Sequence, residues 1–395
     1  MTAQGLYIHI PFCPQVCPYC AFAKLQGGEE FHARYATAVC KEIEKWHQDA
    51  PPLDTVFFGG GTPSQLDPRH LQAILESAQR WCGIKPNAEI TIEVNPGVAD
   101  FDKFFYFKQI GFNRLSLGAQ SFVDEDLKAL GRIHRAVEVE KAFEKAREAG
   151  FDNLSLDLIS SIPNTPPAHW RRSLNRALEL APEHISCYAL TIEEGTVFAA
   201  RQRQGRLQPV SEEEDASAYE WTAERLESAG YEHYEVSNFA RPGRRSQHNW
   251  GYWSGAEYLG AGLSAHSYRA GYRSWNTPDL GKYLEAVEAA SSPCSGTEFI
   301  DPLTARRERL WMGLRTCEGV GLSAEEQRVL RRHERFAALL EAGFIRLEGS
   351  RLRLQKAGFL LADALGVEVV DLLEGESVSG GLASSIGERD LLCDR

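Results

Sequence analysis

Three cysteines near the start of the chain are the residues best suited to carry chemistry. Cys13, Cys17 and Cys20 follow an apolar run at residues 6–10 that is typical of a buried strand. Their C-x3-C-x2-C spacing lets three thiolates hold three irons of a [4Fe–4S] cluster, whereas an electron-transfer cluster usually has four cysteine ligands. The sequence therefore predicts a cluster with one iron open to a small ligand.

Two other interpretations of the triplet stay open at the level of the residues. Pro11, Pro14 and Pro18 keep the segment out of regular structure, so its three sulfurs can converge on one point. A zinc site would need a fourth ligand, and His9 is close in sequence but lies on the predicted strand. Disulfide pairing is disfavoured because the chain has an odd nine cysteines and no secretory signal. Cluster binding is the favoured interpretation.

Composition excludes several classes of protein. The 395 residues, 43% of them hydrophobic, allow one large domain and one or two smaller ones. There is no apolar run of about 18 residues, so no membrane-spanning segment is expected. The formal charge of -12 argues against a broad nucleic-acid surface. We therefore expect a cytoplasmic protein that does not bind nucleic acid.

Strands alternate with helices through about the first 190 residues. Strands are predicted at residues 6–10, 55–58, 89–94, 114–117, 153–158 and 185–190, with helices near 31–47, 68–81, 101–110, 136–149 and 168–180. Six such units without a G-x-G-x-x-G after the first strand predict an α/β fold, a partial (β/α)6 TIM-like barrel. Such sheets bind ligands at the carboxyl ends of their strands, which is where the three cysteines lie.

The remainder of the chain divides by composition. The predicted parts are residues 1–237, the barrel with a following helix and strand; 238–300, an aromatic and glycine-rich segment that completes the site; 301–372, a small helical or winged-helix-like domain; and 373–395, a mobile tail. A strand is predicted at residues 231–237 and a hairpin at 344–354.

Polar residues and glycines follow the ends of the predicted barrel strands. Residues 59–62, Gly-Gly-Gly-Thr, end the second strand and would let the backbone approach a ligand. Glu93 closes the third strand, Gln120 lies just beyond the fourth, Arg132 is in the next loop, and Asp157 lies within the fifth. Each alone fits a structural role, but together they predict a site at the top of the barrel.

Six motifs occur in order along the chain. They are Tyr7-Ile-His-Ile-Pro-Phe-Cys13, Cys17-Pro-Tyr-Cys20, Gly59-Gly-Gly-Thr-Pro-Ser64, Leu117-Gly-Ala-Gln-Ser-Phe122, Leu130-Gly-Arg-Ile-His134 and His248-Asn-Trp-Gly-Tyr-Trp253. Over about residues 6–370 the chain resembles the radical S-adenosylmethionine (SAM) proteins related to oxygen-independent coproporphyrinogen III oxidase. The resemblance implies the radical SAM type of partial barrel, with a smaller helical domain after it.

The resemblance also implies a cofactor site. On this basis Cys13, Cys17 and Cys20 bind a [4Fe–4S] cluster, and SAM chelates its open iron. The implied SAM pocket comprises Tyr7, Gly60, Gly61, Thr62, Glu93, Gln120, Arg132, Asp157 and Ala189. Arg132 can pair with the SAM carboxylate, and the carboxylates can accept hydrogen bonds from the ribose and the ammonium group.

Two departures separate subfamilies within this family. The oxidases have a fourth cysteine two positions after the triplet, which is Phe22 here, and an N-terminal extension, whereas six residues precede Tyr7 here. The heme chaperones lack that cysteine and carry a His-Asn-x-x-Tyr-Trp motif, present here as His248, Asn249, Tyr252 and Trp253. Both signs favour a heme chaperone.

The His-Asn-x-x-Tyr-Trp motif is a candidate heme site. A histidine can ligate heme iron, and flat aromatic rings can stack on the macrocycle. Without the resemblance, the sequence favours a satisfied core or turn histidine at His248, with the tryptophans packing between domains; the resemblance favours a heme site. Lesser histidine candidates are His266 and His9, and Arg241, Arg244 and Arg245 are candidates to pair with propionates.

Two functions follow from the resemblance. The first is a carrier that binds heme and passes it to acceptor hemoproteins such as respiratory enzymes, with a homodimer and transient contact with membrane proteins as further expectations. The second is an enzyme that decarboxylates coproporphyrinogen III through a deoxyadenosyl radical. A radical SAM enzyme acting on tRNA is disfavoured by the acidic charge. Phe22 favours the carrier.

Overall fold

The computed structural model describes residues 4–46, 52–97 and 101–375. The strands of the first half are β1 (Gln4–Ile10), β2 (Phe12–Cys13), β3 (Leu25–Gln26), β4 (Leu53–Gly60), β5 (Ile84–Val94), β6 (Arg114–Gln120), β7 (Leu154–Ser160) and β8 (His184–Ala189). The helices between them are α1 (His32–Glu44), α2 (Pro68–Trp81), α3 (Phe101–Ile110), α4 (Asp124–Ala129), α5 (Ala136–Glu148) and α6 (Pro167–Leu180).

The predicted partial (β/α)6 barrel is confirmed. Six strands lie in the order β1, β4, β5, β6, β7, β8, and each pairs in parallel with the next. The connecting helices are amphipathic: in α2 the apolar face of Leu71, Ile74, Leu75 and Ala78 is buried at helical spacing. Asp67 caps this helix by accepting a hydrogen bond from the backbone N–H of Arg69.

The two faces of the sheet are chemically different. On the outer face, Ile8 and Phe58 belong to the main hydrophobic core that the helices cover. Their strand neighbours point the other way, and Tyr7 and Phe57 form a separate small cluster on the inner face. The alternation therefore places an aromatic and polar lining inside the barrel.

The middle of the chain extends this sheet on both sides. Its elements are α7 (Val197–Arg203), α8 (Glu212–Ser228), β9 (Glu232–Glu235), β10 (Asn238–Ala240), α9 (Gln247–Trp253), β11 (Glu257–Ala261), β12 (His266–Arg269), β13 (Tyr272–Asn276), α10 (Leu280–Glu288) and β14 (Cys294–Phe299). Strand β11 pairs in parallel with β1, and β10 pairs antiparallel with β8. The predicted strand at residues 231–237 is confirmed as the shorter β9, because the chain turns after Glu235 and returns as β10.

The last part has its own hydrophobic core. It consists of α11 (Pro302–Leu314), β15 (Val320–Gly321), α12 (Ala324–Leu330), α13 (Glu334–Glu341), β16 (Ile345–Glu348), β17 (Arg351–Leu354), α14 (Lys356–Phe359) and α15 (Ala362–Glu374). The predicted hairpin at 344–354 is confirmed as β16 and β17. The four-part domain division stays a prediction, and its tail from residue 376 lies outside the described residues.

No helix in the described part of the chain combines the length and apolar character needed to cross a bilayer.

Candidate functional site

The cysteine loop is closed at its base by backbone hydrogen bonds. After β1 the chain forms β2, and Leu25 and Gly27 donate to the carbonyls of Pro11 and Cys13 at 2.7 and 2.9 Å. The intervening turn is held by the Cys20 N–H, which donates to the Cys17 carbonyl at 3.2 Å. All three thiols therefore lie on one short loop at the carboxyl end of β1.

The electrostatic environment of the thiols fits metal binding with proton release. Burial, with a smaller contribution from the neighbouring Cys20 and Cys17, raises the pKa of Cys13 to about 11. Burial also raises the pKa of Cys20. Iron that binds these sulfurs must therefore displace their protons. The donor set of three thiols fits a [4Fe–4S] cluster with one open iron.

The zinc and disulfide alternatives receive no support. Both ring nitrogens of His9 are engaged, Nδ1 with the Tyr7 hydroxyl at 3.0 Å and Nε2 with the Ala23 carbonyl at 2.7 Å. Among the described residues, no group of three or more histidine, cysteine or acidic side chains, the three loop cysteines included, is arranged to hold a metal ion. Each of the eight cysteines in that part of the chain is a free thiol. His9 thus secures the cysteine loop to β1.

The glycines at the end of β4 allow close contact between this strand and the segment that leads into the cysteine loop. Gly60 has a φ of +112°, and a Cβ there would lie 2.6 Å from the ring of His9. A Cβ on Gly61 would lie 2.7 Å from the backbone of Pro11, and its N–H donates to the Ile10 carbonyl at 2.8 Å. Glycine at these positions lets the ends of β1 and β4 pack together.

A polar network connects the thiols to three strands. Thr62 is buried, and its hydroxyl lies 3.8 Å from the sulfur of Cys13 while accepting from Asn95 Nδ2 at 2.8 Å. Arg132 donates from Nη1 to the sulfur of Cys17 at 3.5 Å and from Nη2 to Asn95 Oδ1. Burial opposes the charge of Arg132, yet neighbouring groups, including Cys17, raise its pKa above the ordinary value.

Sequence reasoning missed Asn95, which bridges Thr62 and Arg132. The available signal was its position directly after β5. It also missed that Gln120 closes β6 with a φ of +62° after an irregularity in the strand pairing, instead of following the strand. A Cβ on Gly118 would lie 3.0 Å from Gln120 Nε2 and 3.2 Å from Asn95 Oδ1, so the glycine makes room for this convergence.

The other proposed SAM residues surround this network at different depths. The N–H of Gly60 donates to Glu93 Oε2 at 3.2 Å, which places that carboxylate beside the glycine turn. Asp157 lies deeper and accepts from the hydroxyls of Ser116 at 2.9 Å, Ser186 at 2.8 Å and Ser155 at 3.4 Å. Ala189 is exposed at the end of β8, on the same carboxyl edge.

The His-Asn-x-x-Tyr-Trp motif lies at the opposite end of the barrel. His248, on α9, is 4% exposed. Its Nδ1 shares a hydrogen bond with the Thr55 hydroxyl and its Nε2 with the Tyr252 hydroxyl, both at 2.8 Å. The ring stacks on Phe57 with centroids 5.1 Å apart, and Glu89 accepts from its backbone N–H at 3.1 Å. Sequence reasoning missed Glu89 and Thr55 as partners.

The remaining heme candidates differ in their environments. Arg241 donates to the Ala229 carbonyl, Arg244 pairs with Asp152, and Arg245 pairs with Glu232 and Glu318. The three arginines thus already have protein partners. His266 is half-buried at the start of β12, where its ring stacks on Trp275 with centroids 5.9 Å apart.

The structure therefore brings the predicted residues together in two groups. At the carboxyl end of the strands lie Cys13, Cys17, Cys20, Gly60, Gly61, Thr62, Glu93, Gln120, Arg132 and Ala189. Asp157 lies deeper in the interior, and Tyr7 lies in the middle of β1, where its ring is 5.9 Å from that of His9 and 6.5 Å from that of His248. At the amino end lie His248, Asn249, Tyr252 and Trp253 on one helix. The structure does not bring the histidine motif to the cysteine loop.

Comparison with known proteins identifies the family to which the chain is similar. The Radical SAM superfamily matches residues 7–177, and the HemN C-terminal domain matches residues 300–361. The chain is 40% identical over 329 residues to heme chaperone HemW of Synechocystis, covering 81% of this chain and 80% of that protein. It is 36% identical over 324 residues to heme chaperone HemW of Bacillus subtilis, covering 80% and 84%.

The solved structure of Escherichia coli coproporphyrinogen III oxidase (HemN), a radical SAM enzyme, has a similar fold. The TM-score is 0.79 at 23% sequence identity, over 94% of this chain and 90% of that one. This likeness confirms the predicted architecture, a radical SAM barrel followed by a smaller C-terminal domain.

Proposed function

Because the chain belongs to the HemW family of radical SAM proteins, we propose that it binds heme and passes it to acceptor hemoproteins. The observation that carries this proposal is the identity of 36–40% to heme chaperones over four-fifths of the chain. As the family resemblance implies, we further propose acceptors such as respiratory enzymes, a cytoplasmic location, transient contact with membrane proteins and a homodimer.

The carboxyl end of the barrel is proposed to hold the iron–sulfur cofactor and SAM. Cys13, Cys17 and Cys20 would hold a [4Fe–4S] cluster, which supplies an iron for chelation of SAM and, once reduced, an electron. The charge of Arg132, beside Cys17 and Asn95, is positioned to receive the SAM carboxylate. Glu93 and Asp157 supply acceptors for the ammonium and hydroxyl groups of SAM.

A histidine can ligate heme iron only through a ring nitrogen that is not held in a hydrogen bond within the protein. For His248 to ligate iron through Nε2, its hydrogen bond to Tyr252 must break. Asn249 and Trp253 lie on the same helix and would then contact the macrocycle. His266 is half-buried near the cysteine end, which makes it the next candidate.

A heme titration of the reconstituted protein tests the proposal. We expect about one heme per chain, transfer to an apo-hemoprotein, and no SAM-dependent decarboxylation of coproporphyrinogen III. Phe22, in place of the oxidases' fourth cysteine, motivates the last expectation. His248→Ala and His266→Ala, measured side by side, identify the ligand by which variant shifts the heme absorption spectrum. Formation of protoporphyrinogen IX in the presence of SAM and a reductant would overturn the carrier function.

A further inference from the structure

Arg114 is the first residue of β6 and one of the most deeply buried side chains in the protein. Only 1% of the residue is exposed, and its Nε atom is buried without a hydrogen-bond partner. Over residues 4–46, 52–97 and 101–375, no hydrogen bond or ion pair joins its guanidinium group to another residue. A buried charge without a partner opposes folding, so its presence in a well-packed protein points to a role beyond stability.

Strand register places Arg114 inside the barrel. It lies directly opposite Thr91 of β5, and two residues further along β6 the hydroxyl of Ser116 donates to Asp157. The intervening Leu115 belongs to the helix-covered core on the outer face. Arg114 therefore shares the inner face with Thr91, Ser116 and Asp157.

The other polar groups along this inner face do not satisfy Arg114. Thr91 is fully buried, and its hydroxyl has no partner. The two oxygens of Glu89 accept from the backbone N–H groups of Gln247 and His248. Asp157 is surrounded by serine hydroxyls. Further along the same face, on β10, the amide oxygen and nitrogen of Asn238 are also buried without partners.

We propose that Arg114 and Thr91 form a carboxylate-binding subsite inside the barrel, and that it receives a propionate of the porphyrin cargo. This inference rests on the proposed heme-carrier function and deepens it. A guanidinium group can donate two parallel hydrogen bonds to a carboxylate, and the Thr91 hydroxyl can donate a third. Asp157 and Gly118, which lie further along the inner face, are only half-buried.

The subsite differs from the arginines expected from sequence to bind propionates. Arg241, Arg244 and Arg245 are satisfied by carbonyl or carboxylate groups of the protein. Arg114 has no such partner within the described part of the chain, so it is the arginine whose charge remains to be neutralised by a ligand.

A comparison of hemin with hemin dimethyl ester tests the subsite, because the ester keeps the macrocycle but lacks free carboxylates. We expect the reconstituted wild type to bind hemin at least tenfold more tightly than the ester. Arg114→Met should bind both ligands equally, with the affinity that the wild type has for the ester. Arg176→Met, the matched control at a surface ion pair with Glu140, should retain the wild-type preference. Equal binding of the two ligands by the wild type would overturn the proposal.

Stability distinguishes a ligand-binding role from a structural one. Without ligand, Arg114→Met should unfold at a higher urea concentration than the wild type, because it removes an unpaired buried charge. A variant that is destabilised, or that loses hemin and the ester to the same extent, would make Arg114 a structural residue. The SAM affinity of the variant should stay within twofold of the wild type; a larger loss would assign the subsite to the SAM carboxylate instead.

The failure of the carrier function can be recognised separately. If the wild type takes up no hemin, the proposed function fails and the propionate assignment fails with it. The carboxylate subsite itself is then tested with sodium propionate as the probe. A rise in the melting temperature of the wild type that is absent in Arg114→Met supports the subsite, and equal behaviour of the two proteins overturns it.

Discussion

The two ends of the barrel differ in how accessible their candidate ligand-binding side chains are. At the carboxyl end, the thiols of Cys17 and Cys20 are half-buried on a loop, and groups such as Arg132 face them. At the amino end, the ring of His248 is buried and both its nitrogens are hydrogen-bonded. Thr55, which contacts that ring, and Gly60, beside the cysteine loop, lie about 16 Å apart along β4.

The difference shows that the hydrogen-bond partners around a motif decide whether its side chains are available to bind a ligand. The cysteine end keeps three free thiols on one loop, with Thr62 and Arg132 in contact with two of their sulfurs, and three thiols are a donor set that suits an iron–sulfur cofactor. At the amino end, both ring nitrogens of His248 have hydrogen-bond partners from the protein, which is the arrangement that a packed core requires. The histidine motif must therefore give up existing contacts before it can bind a ligand.

Removal of a cluster thiol gives the largest expected effect. Cys17→Ala should abolish a stable four-iron cluster after anaerobic reconstitution, because three thiolates form the whole protein ligand set. Iron and sulfide analysis with absorption spectroscopy measures the result. Cys187→Ala, in which the removed thiol is buried in the main core, should retain the cluster. Full cluster content in Cys17→Ala would contradict the assignment of the cysteine loop as the cluster site.

Truncation of His248 should mainly affect stability. His248→Ala removes a buried stacked ring and the hydrogen bonds that it shares with Thr55 and Tyr252, so the free energy of unfolding should fall by about 2–4 kcal/mol. His266→Ala, at a half-buried ring, should cost at most about 1 kcal/mol. Urea unfolding measures both. A His248→Ala variant as stable as the wild type would contradict a structural role for the ring.

Acidification should loosen the cysteine end through His9. Burial lowers the pKa of His9 to about 4 from 6.5, so between these values the unfolded chain binds a proton that the folded protein does not. The stability that neutral His9 provides is therefore present above pH 6.5 and lost as the pH falls towards 4. Its share of the loss between pH 7 and 4.5 should be about 2–3 kcal/mol.

Urea unfolding of wild type and His9→Phe at the two pH values measures that share. The variant cannot be protonated at this position, so its stability should fall less on acidification. His134 and His233, whose pKa values burial also lowers to about 4, contribute equally to both proteins and cancel in the difference. Identical pH dependence in the two proteins would exclude His9 as a pH-sensitive contact.

The smallest expected effect concerns Asp157, between the two ends. Asp157→Asn keeps the shape of the side chain but removes its charge, so SAM affinity should fall about ten- to a hundredfold while iron content stays unchanged. Calorimetry on the reconstituted protein measures the affinity, with the exposed Asp152→Asn as control. Unchanged affinity would assign Asp157 to the structural serine network instead of the SAM pocket.

Features that depend on short stretches of chain could be predicted from the sequence. The C-x3-C-x2-C spacing places three thiols on one loop whatever the rest of the protein does. The alternation of strands and helices fixed the barrel, because crossover connections between parallel strands leave few topologies. The carboxyl ends of these strands then had to meet at one edge, which is why Thr62 and Arg132 were predicted near the cysteines.

The partners of each side chain, in contrast, depend on how the strands and helices pack in the folded protein. His248 and Thr55 are 193 residues apart in sequence, and no local pattern states that they share a hydrogen bond. The packing of Gly61 against Pro11 and the position of Asn95 between Thr62 and Arg132 likewise depend on strands meeting in space. Arg114 reads as an ordinary arginine at the start of a strand, and its isolation within the barrel appears only in the fold. Burial and hydrogen-bond satisfaction are properties of the whole assembly of elements, so they cannot be read from the chain alone.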